Sequence, residues 1–192
     1  MNVLVKKHFI TVEKCAQLNA WVDEGVENKW LDNGISRGSG WGYAKRLTTR
    51  NYGNRFEYPN IAHEVFQKIT GDLDLYGFRK SSMGGGRDGI VVSCTFPGGD
   101  VYKHTDPMEG NLQVLRCNIM TRAADVGGEL FVDDQKIDIG VGDLHCYLAS
   151  NIPHYVTEVQ GDTSRVLWMF GYKFSFQDFD RLKEQFAEAQ CS

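Results

Sequence analysis

The sequence predicts a mainly β fold, a sandwich or barrel of short strands with helices packed against it. Three observations carry that reading. From Leu73 to about residue 173 the chain runs as short segments rich in Val, Ile, Leu and aromatic residues, broken by Gly and Asp. Many short strands with frequent turns are the mark of an all-β sandwich or barrel. Before and after that region the apolar spacing is helical. Finally, 192 residues with 42% hydrophobic and 24% charged side chains match a single ordinary globular domain.

In order along the chain, Thr11 is a fitting N-cap, and Cys15, Leu18 and Val22 recur at helical spacing through about Glu27. Residues Ile35 to Arg55 are rich in Gly, Ser, Asn and aromatic side chains and read as an irregular loop or weak strands. A second helix opens at Pro59, shows an apolar face of Ala62, Val65, Phe66 and Ile69, and stops at Gly71. Strands are predicted over 74–79, 90–96, 100–104, 113–120, 129–132, 136–138, 143–149, 153–159 and 164–173. A last helix is capped by Ser175 with Asp178 three residues on, and carries Phe179, Leu182 and Phe186 on one face. The expected organisation is one domain over 1–192. Residues 1–73 give helical support and a substrate loop, 74–174 the β core, and 175–192 the closing helix.

Composition excludes several classes. No run of 18 apolar residues exists, so no transmembrane helix is expected. The opening MNVLVKKHFITVEK lacks the apolar stretch of a secretory signal. Five scattered cysteines without a CxxC pair argue against a zinc ribbon or redox dithiol, and for a reduced, cytoplasmic protein. The net charge of −4 is uneven, with 13 Lys and Arg against 10 Asp and Glu in residues 1–96, and 8 against 15 in 97–192. So acidic a second half argues against nucleic acid as a partner. One stretch departs from this, since Asn33 to Arg55 contains no acid but holds Arg37, Lys45, Arg46, Arg50 and Arg55.

The residues that carry chemistry begin with His104 and Asp106, two apart in VYKHTDP. On an extended segment they point to one side, so an imidazole and a carboxylate can reach one metal ion. His154, in NIPHYV at the start of a late strand, is the candidate third ligand of a 2-His-1-carboxylate triad of the non-haem iron type. Alone, an HxD pair is equally a hydrogen-bonded pair at a strand end. Arg165 adds weight. Gly161-Asp162 suits a two-residue hairpin pairing Gln160 with Thr163 and Glu158 with Arg165, which sets His154 and Arg165 on one face. Arg165 offers a bidentate fork for the far end of a dicarboxylate whose near end is on the metal.

The ordered runs TFPGGDVYKHTDP, VGGELFV, VGDLHCYLASNIPHYVTEV and SRVLWMFGY resemble the Fe(II)- and 2-oxoglutarate-dependent oxygenases, most of all the prolyl-hydroxylase-type branch. FITVEKCAQLNAWV is similar to that branch's opening helix. The resemblance implies a double-stranded β-helix (jelly-roll) with N-terminal helices packed against it. It implies Fe(II) on His104, Asp106 and His154, and the C5 carboxylate of 2-oxoglutarate on Arg165. It also implies O2 as co-reactant, with ascorbate for reactivation. The family often binds the same carboxylate with a Tyr on the strand after the HxD motif. Here that position is Ile119, flanked by Asn118. Tyr102, which shares the face of His104 if extended, is an alternative hydroxyl. The implied reaction hydroxylates a C–H bond and releases succinate and CO2. Because Asp106 is retained, hydroxylation is favoured over halogenation, in which a small residue replaces the carboxylate.

A prolyl residue in a peptide or protein, or a free amino acid, is the leading substrate class. The alternatives are oxidative demethylation of nucleic acid and a catalytically silent jelly-roll binding module. The glycine-rich Met83–Gly89 lacks the lysine and spacing of a P-loop and reads as a flexible connection or a mobile lip of the pocket. The basic stretch with Trp41, Tyr43 and Tyr52 is either a solvated loop or a substrate-recognition loop. His145, alternating with Tyr147, reads as structural, and Trp168 and Phe170 as core.

Overall fold

In the computed structural model the described residues are 3–28, 45–49, 57–81 and 89–191. The expectations for Arg37, Trp41, Tyr43, Arg50, Tyr52, Arg55 and the glycine run 83–88 fall outside them. The elements are β1 (Leu4–Lys6), α1 (Val12–Glu27), β2 (Arg46–Thr48), α2 (Asn60–Asp72), β3 (Ile90–Thr95), β4 (Val101–His104), β5 (Gln113–Arg122), β6 (Val126–Gly127), β7 (Leu130–Val132), β8 (Gln135–Lys136), β9 (Leu144–Leu148), β10 (His154–Val156), β11 (Val159–Gln160), β12 (Arg165–Phe174) and α3 (Phe176–Cys191). Among the described residues no helix is long and apolar enough to cross a membrane.

The helices form where capping and periodicity coincide. The Thr11 hydroxyl accepts the Lys14 amide, and Cys15, Leu18, Val22 and Gly25 are buried along one face of α1. Helix α2 buries the expected Ala62, Val65, Phe66 and Ile69. Pro59 is its N-cap rather than its first residue, and the helix runs one residue past Gly71. Ser175 and Asp178 cap α3 reciprocally, with the Asp178 amide donating to Ser175 Oγ at 3.1 Å and the Ser175 amide to Asp178 at 3.2 Å. Phe179 and Leu182 are buried beneath it.

The strands build two antiparallel sheets. One has the order β1-β9-β5-β12-β3-β2, the other β4-β10-β7-β8, and β11 with β6 forms a separate two-stranded ladder. Ladder β5–β12–β3 is the spine. Every residue of β12 except Lys173 is buried, because the six-stranded sheet is covered on both faces. Trp168, Phe170 and Tyr172 point to the helices, where Trp21 lies 5.5 Å from Trp168 and Phe66 lies 5.2 Å from both Phe170 and Tyr172. Cys117, Ile119, Leu144 and Cys146 belong to the same core, and Cys15, Cys94, Cys117 and Cys146 are all buried free thiols. The opposite face carries Val91, Val114, Met120, Leu167 and Met169 beside a row of polar side chains.

Two expectations are corrected. No strand forms over 74–79. Asp74 adopts φ 50°, Leu75 donates back to Thr70 at 2.8 Å, and the segment is a tight turn that pushes Leu75 into the core. Nor do residues 153–173 form a simple hairpin. Strand β11 pairs with β6, whereas β12 pairs with β3 and β5. The physical reason is Asp125, whose carboxylate accepts the amides of Asp162 and Thr163 at 2.9 and 3.0 Å and draws the turn toward β6. Gly161 has φ 88°, and a Cβ there would lie 2.6 Å from that carboxylate. His154 and Arg165 therefore sit on different sheets.

Candidate metal and cosubstrate site

The site is built between the sheets. His104 and His154 are directly paired across β4 and β10, which puts both rings on one side, 4.4 Å apart between centroids. Each Nδ1 lies on a backbone carbonyl two residues earlier, His104 on Tyr102 at 2.8 Å and His154 on Ile152 at 3.0 Å. A carbonyl only accepts, so each Nδ1 carries the proton and each Nε2 lone pair is left for a ligand bond. Asp106 follows β4 and is fixed by its amide on Ala149 O at 2.8 Å. Its Oδ1 lies 3.7 Å from His104 Nε2. One ligand atom from each of His104, Asp106 and His154 lies within 4.8 Å of the others. Burial holds the His154 ring down to about 4, so it is neutral at physiological pH, as a ligand must be.

Arg165 lies on the other sheet, within electrostatic reach of Tyr147 and His145. It is 2% exposed, and its Nε and Nη2 are buried without a hydrogen-bond partner. Among the described residues no carboxylate stands within ion-pair distance of it. Desolvation lowers it to about 10, still well above physiological pH. A buried charge without a counter-ion is expensive, so this position suits the end of an anion. Gly128 makes room for it, since a Cβ there would stand 3.1 Å from Arg165 Cδ. Further orphaned polar atoms are Asn118 Oδ1, His145 Nδ1 and Thr95 Oγ1, the last on the residue paired with Arg165. Asn118 Nδ2 donates to His145 Nε2 at 3.2 Å, and burial holds His145 down to about 3.

The resemblance set Ile119 at the family's Tyr position, and Ile119 indeed points away, into the helix-side core. Asn118 faces inward on the same strand. Tyr102 lies against His104, with ring centroids 5.0 Å apart. Two residues stand out that the sequence reading did not assign. Tyr147 is buried with its ring 5.1 Å from that of His154, and burial pushes its hydroxyl well up. Asp106, Arg116 and Arg165 all act on it electrostatically, so it spans the space between the ligand group and Arg165. Arg116 is bonded to Asp106. The available signal was a charge and an amide inside the otherwise apolar run VLRCNIM, which is anomalous for a strand buried on both faces.

No protein-family model matches the chain, and no curated protein matches it in sequence. Solved structures do match. A Pseudomonas putida prolyl-4-hydroxylase superposes with TM-score 0.62 at 15% identity, covering 91% of this chain and 93% of that one. HygX from Streptomyces hygroscopicus, with nickel, 2-oxoglutarate and hygromycin B bound, matches at 0.58 and 8%, covering 91% and 84%. A Trichoplax adhaerens prolyl hydroxylase in complex with a hypoxia inducible factor peptide fragment matches at 0.58 and 14%, covering 93% and 86%. The chain thus shares the jelly-roll fold of these solved structures.

Proposed function

We propose that this chain is an Fe(II)- and 2-oxoglutarate-dependent dioxygenase that hydroxylates an unactivated C–H bond of a prolyl residue or another amino-acid substrate. His104, Asp106 and His154 would hold the iron, and Arg165 would receive the C5 carboxylate of 2-oxoglutarate. Iron, 2-oxoglutarate and O2 together supply the oxidation that turns C–H into C–OH and 2-oxoglutarate into succinate and CO2, with ascorbate available for reactivation. The whole of 1–192 acts as one such domain.

The observation that carries this reading is the grouping of His104, Asp106 and His154 within 4.8 Å, both imidazole protons tied back to the backbone, with the buried Arg165, whose Nε and Nη2 lack partners, acting electrostatically on the neighbouring Tyr147 and His145. A silent binding module has no need of a desolvated cation in the same interior as three ligand-type side chains. The chain's own residues then divide the work. Arg165 orients the dicarboxylate and selects against monocarboxylates. Tyr147, Asn118 and His145 offer a dry, neutral wall between the two ends. The Nδ1 tethers keep both imidazoles in the ligating tautomer. The amino-acid substrate class rests on the likeness to prolyl hydroxylases, one of them in complex with a peptide fragment.

The test is succinate formation from 2-oxoglutarate with Fe(II), O2 and ascorbate, first without a substrate and then with peptides and free amino acids, products being read by mass. A gain of 16 Da on an amino-acid substrate is the expected result. Wild-type protein that makes no succinate and binds no 2-oxoglutarate would overturn the reading.

A further inference from the structure

Arg116 reaches the ligand group from the middle of β5, in register with Tyr147 on β9 and Gly171 on β12. It is 3% exposed. Arg116 Nε and Nη2 both donate to the same oxygen of Asp106, Oδ2, at 2.7 and 2.5 Å. The other oxygen, Oδ1, is the one 3.7 Å from His104 Nε2. The oxygen that Arg116 holds is thus not the one nearest His104.

That commitment has a chemical consequence for a metal held there. A carboxylate that swings freely can offer one oxygen or two. In a site with two imidazoles, two-oxygen binding would fill one of the positions that a chelating cosubstrate and O2 require. Two charge-assisted hydrogen bonds must break before Oδ2 can turn to the metal.

Resting on the iron and 2-oxoglutarate reading, we infer that Arg116 is a positioning residue of the metal centre: it holds Oδ2 so that Asp106 presents Oδ1 alone. A residue that merely neutralised Asp106 would be replaceable by any cation. A positioning residue would not, because a lysine ammonium is a single point donor and cannot lay two nitrogens of a planar fork on one oxygen.

Cobalt(II), titrated under argon into metal-free protein and followed by its visible d–d absorption, separates these cases. R116K keeps the charge and is the deciding variant. R116M removes the partner of a buried carboxylate and can fail to fold, and H154A is the control for the metal reading. Outer-sphere partners typically set metal affinity by about 10–100-fold. R116K is expected to fold with a melting temperature near wild type, to bind cobalt about 10-fold or more weakly, and to show a shifted d–d spectrum. R116K with wild-type affinity and a superimposable spectrum would overturn the assignment while leaving the metal site standing. If wild type binds no cobalt, or H154A binds it equally well, the metal reading fails and the assignment falls with it.

Discussion

Arg165 and the histidines differ in how far the sequence alone could take them. The HxD pair and the late histidine were legible as a group, although Asp106 lies just beyond β4 and is turned to His104 by its amide on Ala149 rather than by strand alternation. The sequence points to Arg165 as the anion residue through a hairpin that does not form, and the structure buries it on the other sheet with Nε and Nη2 lacking partners. Tyr147 and the bond from Arg116 to Asp106 depend on which strands lie side by side, which local spacing does not encode. For Arg165 the expectation is a graded loss. Arg165→Ala removes the partner of a buried carboxylate, a change of about 2–5 kcal/mol, so the KM for 2-oxoglutarate should rise roughly 30-fold or more. Arg165→Lys should be intermediate, and metal affinity without cosubstrate should stay put. An unchanged KM in the alanine variant would mean that another residue holds the carboxylate.

At the scale of elements, every predicted strand from residue 90 onward exists in some form, although 153–159 splits into β10 and β11. Alternation and turn residues are local and were readable. Partner choice was not. The turn at Gly161 looked like a hairpin, and the carboxylate that diverts it comes from Asp125, 36 residues earlier in the chain. The failed strand at 74–79 has the same character, since Leu75 satisfies its amide on the preceding helix before it can join a sheet. A Gly161→Ala variant tests the diverted turn. Its left-handed backbone and the crowding against Asp125 should lower unfolding free energy by about 1–2 kcal/mol, by analogy with alanine at other left-handed positions. Urea unfolding would show the drop. Stability equal to wild type would mean that the turn relaxes freely.

For the whole molecule, the jelly-roll was legible from the resemblance and the strand count, while the way the sheets close over a polar interior was not. That interior has a pH signature. Burial, followed by the charge of Arg165, holds His145 down to about 3 from an ordinary 6.5. Below pH 6.5 the unfolded chain takes up a proton there that the folded chain refuses, so stability falls as pH falls. The loss continues until the folded pKa is reached. At about 1.4 kcal/mol per pH unit, His145 alone should remove about 2 kcal/mol between pH 6.5 and 5, with His154 adding to the slope in metal-free protein. Urea melts at pH 7.5, 6 and 5 measure it. A flat profile, or a slope that survives His145→Gln unaltered, would show that the ring is not buried neutral.

The sulfur atoms give the fold a chemistry of another kind. Cys15, Cys94, Cys117 and Cys146 are dispersed through the core under the helices, and Cys117 and Cys146 are opposite each other in the β5–β9 ladder. Burial raises the Cys15 thiol to about 11 and pushes those of Cys94 and Cys117 up as well. A thiol that is both enclosed and protonated reacts with an alkylating reagent only when its surroundings open. In a Cys191→Ser background these sulfurs become a set of timers. Cys94 reports the parting of β3 from its neighbours, Cys117 and Cys146 the parting of β5 from β9, and Cys15 the lifting of α1. The order in which they are labelled is the order in which the sandwich comes apart.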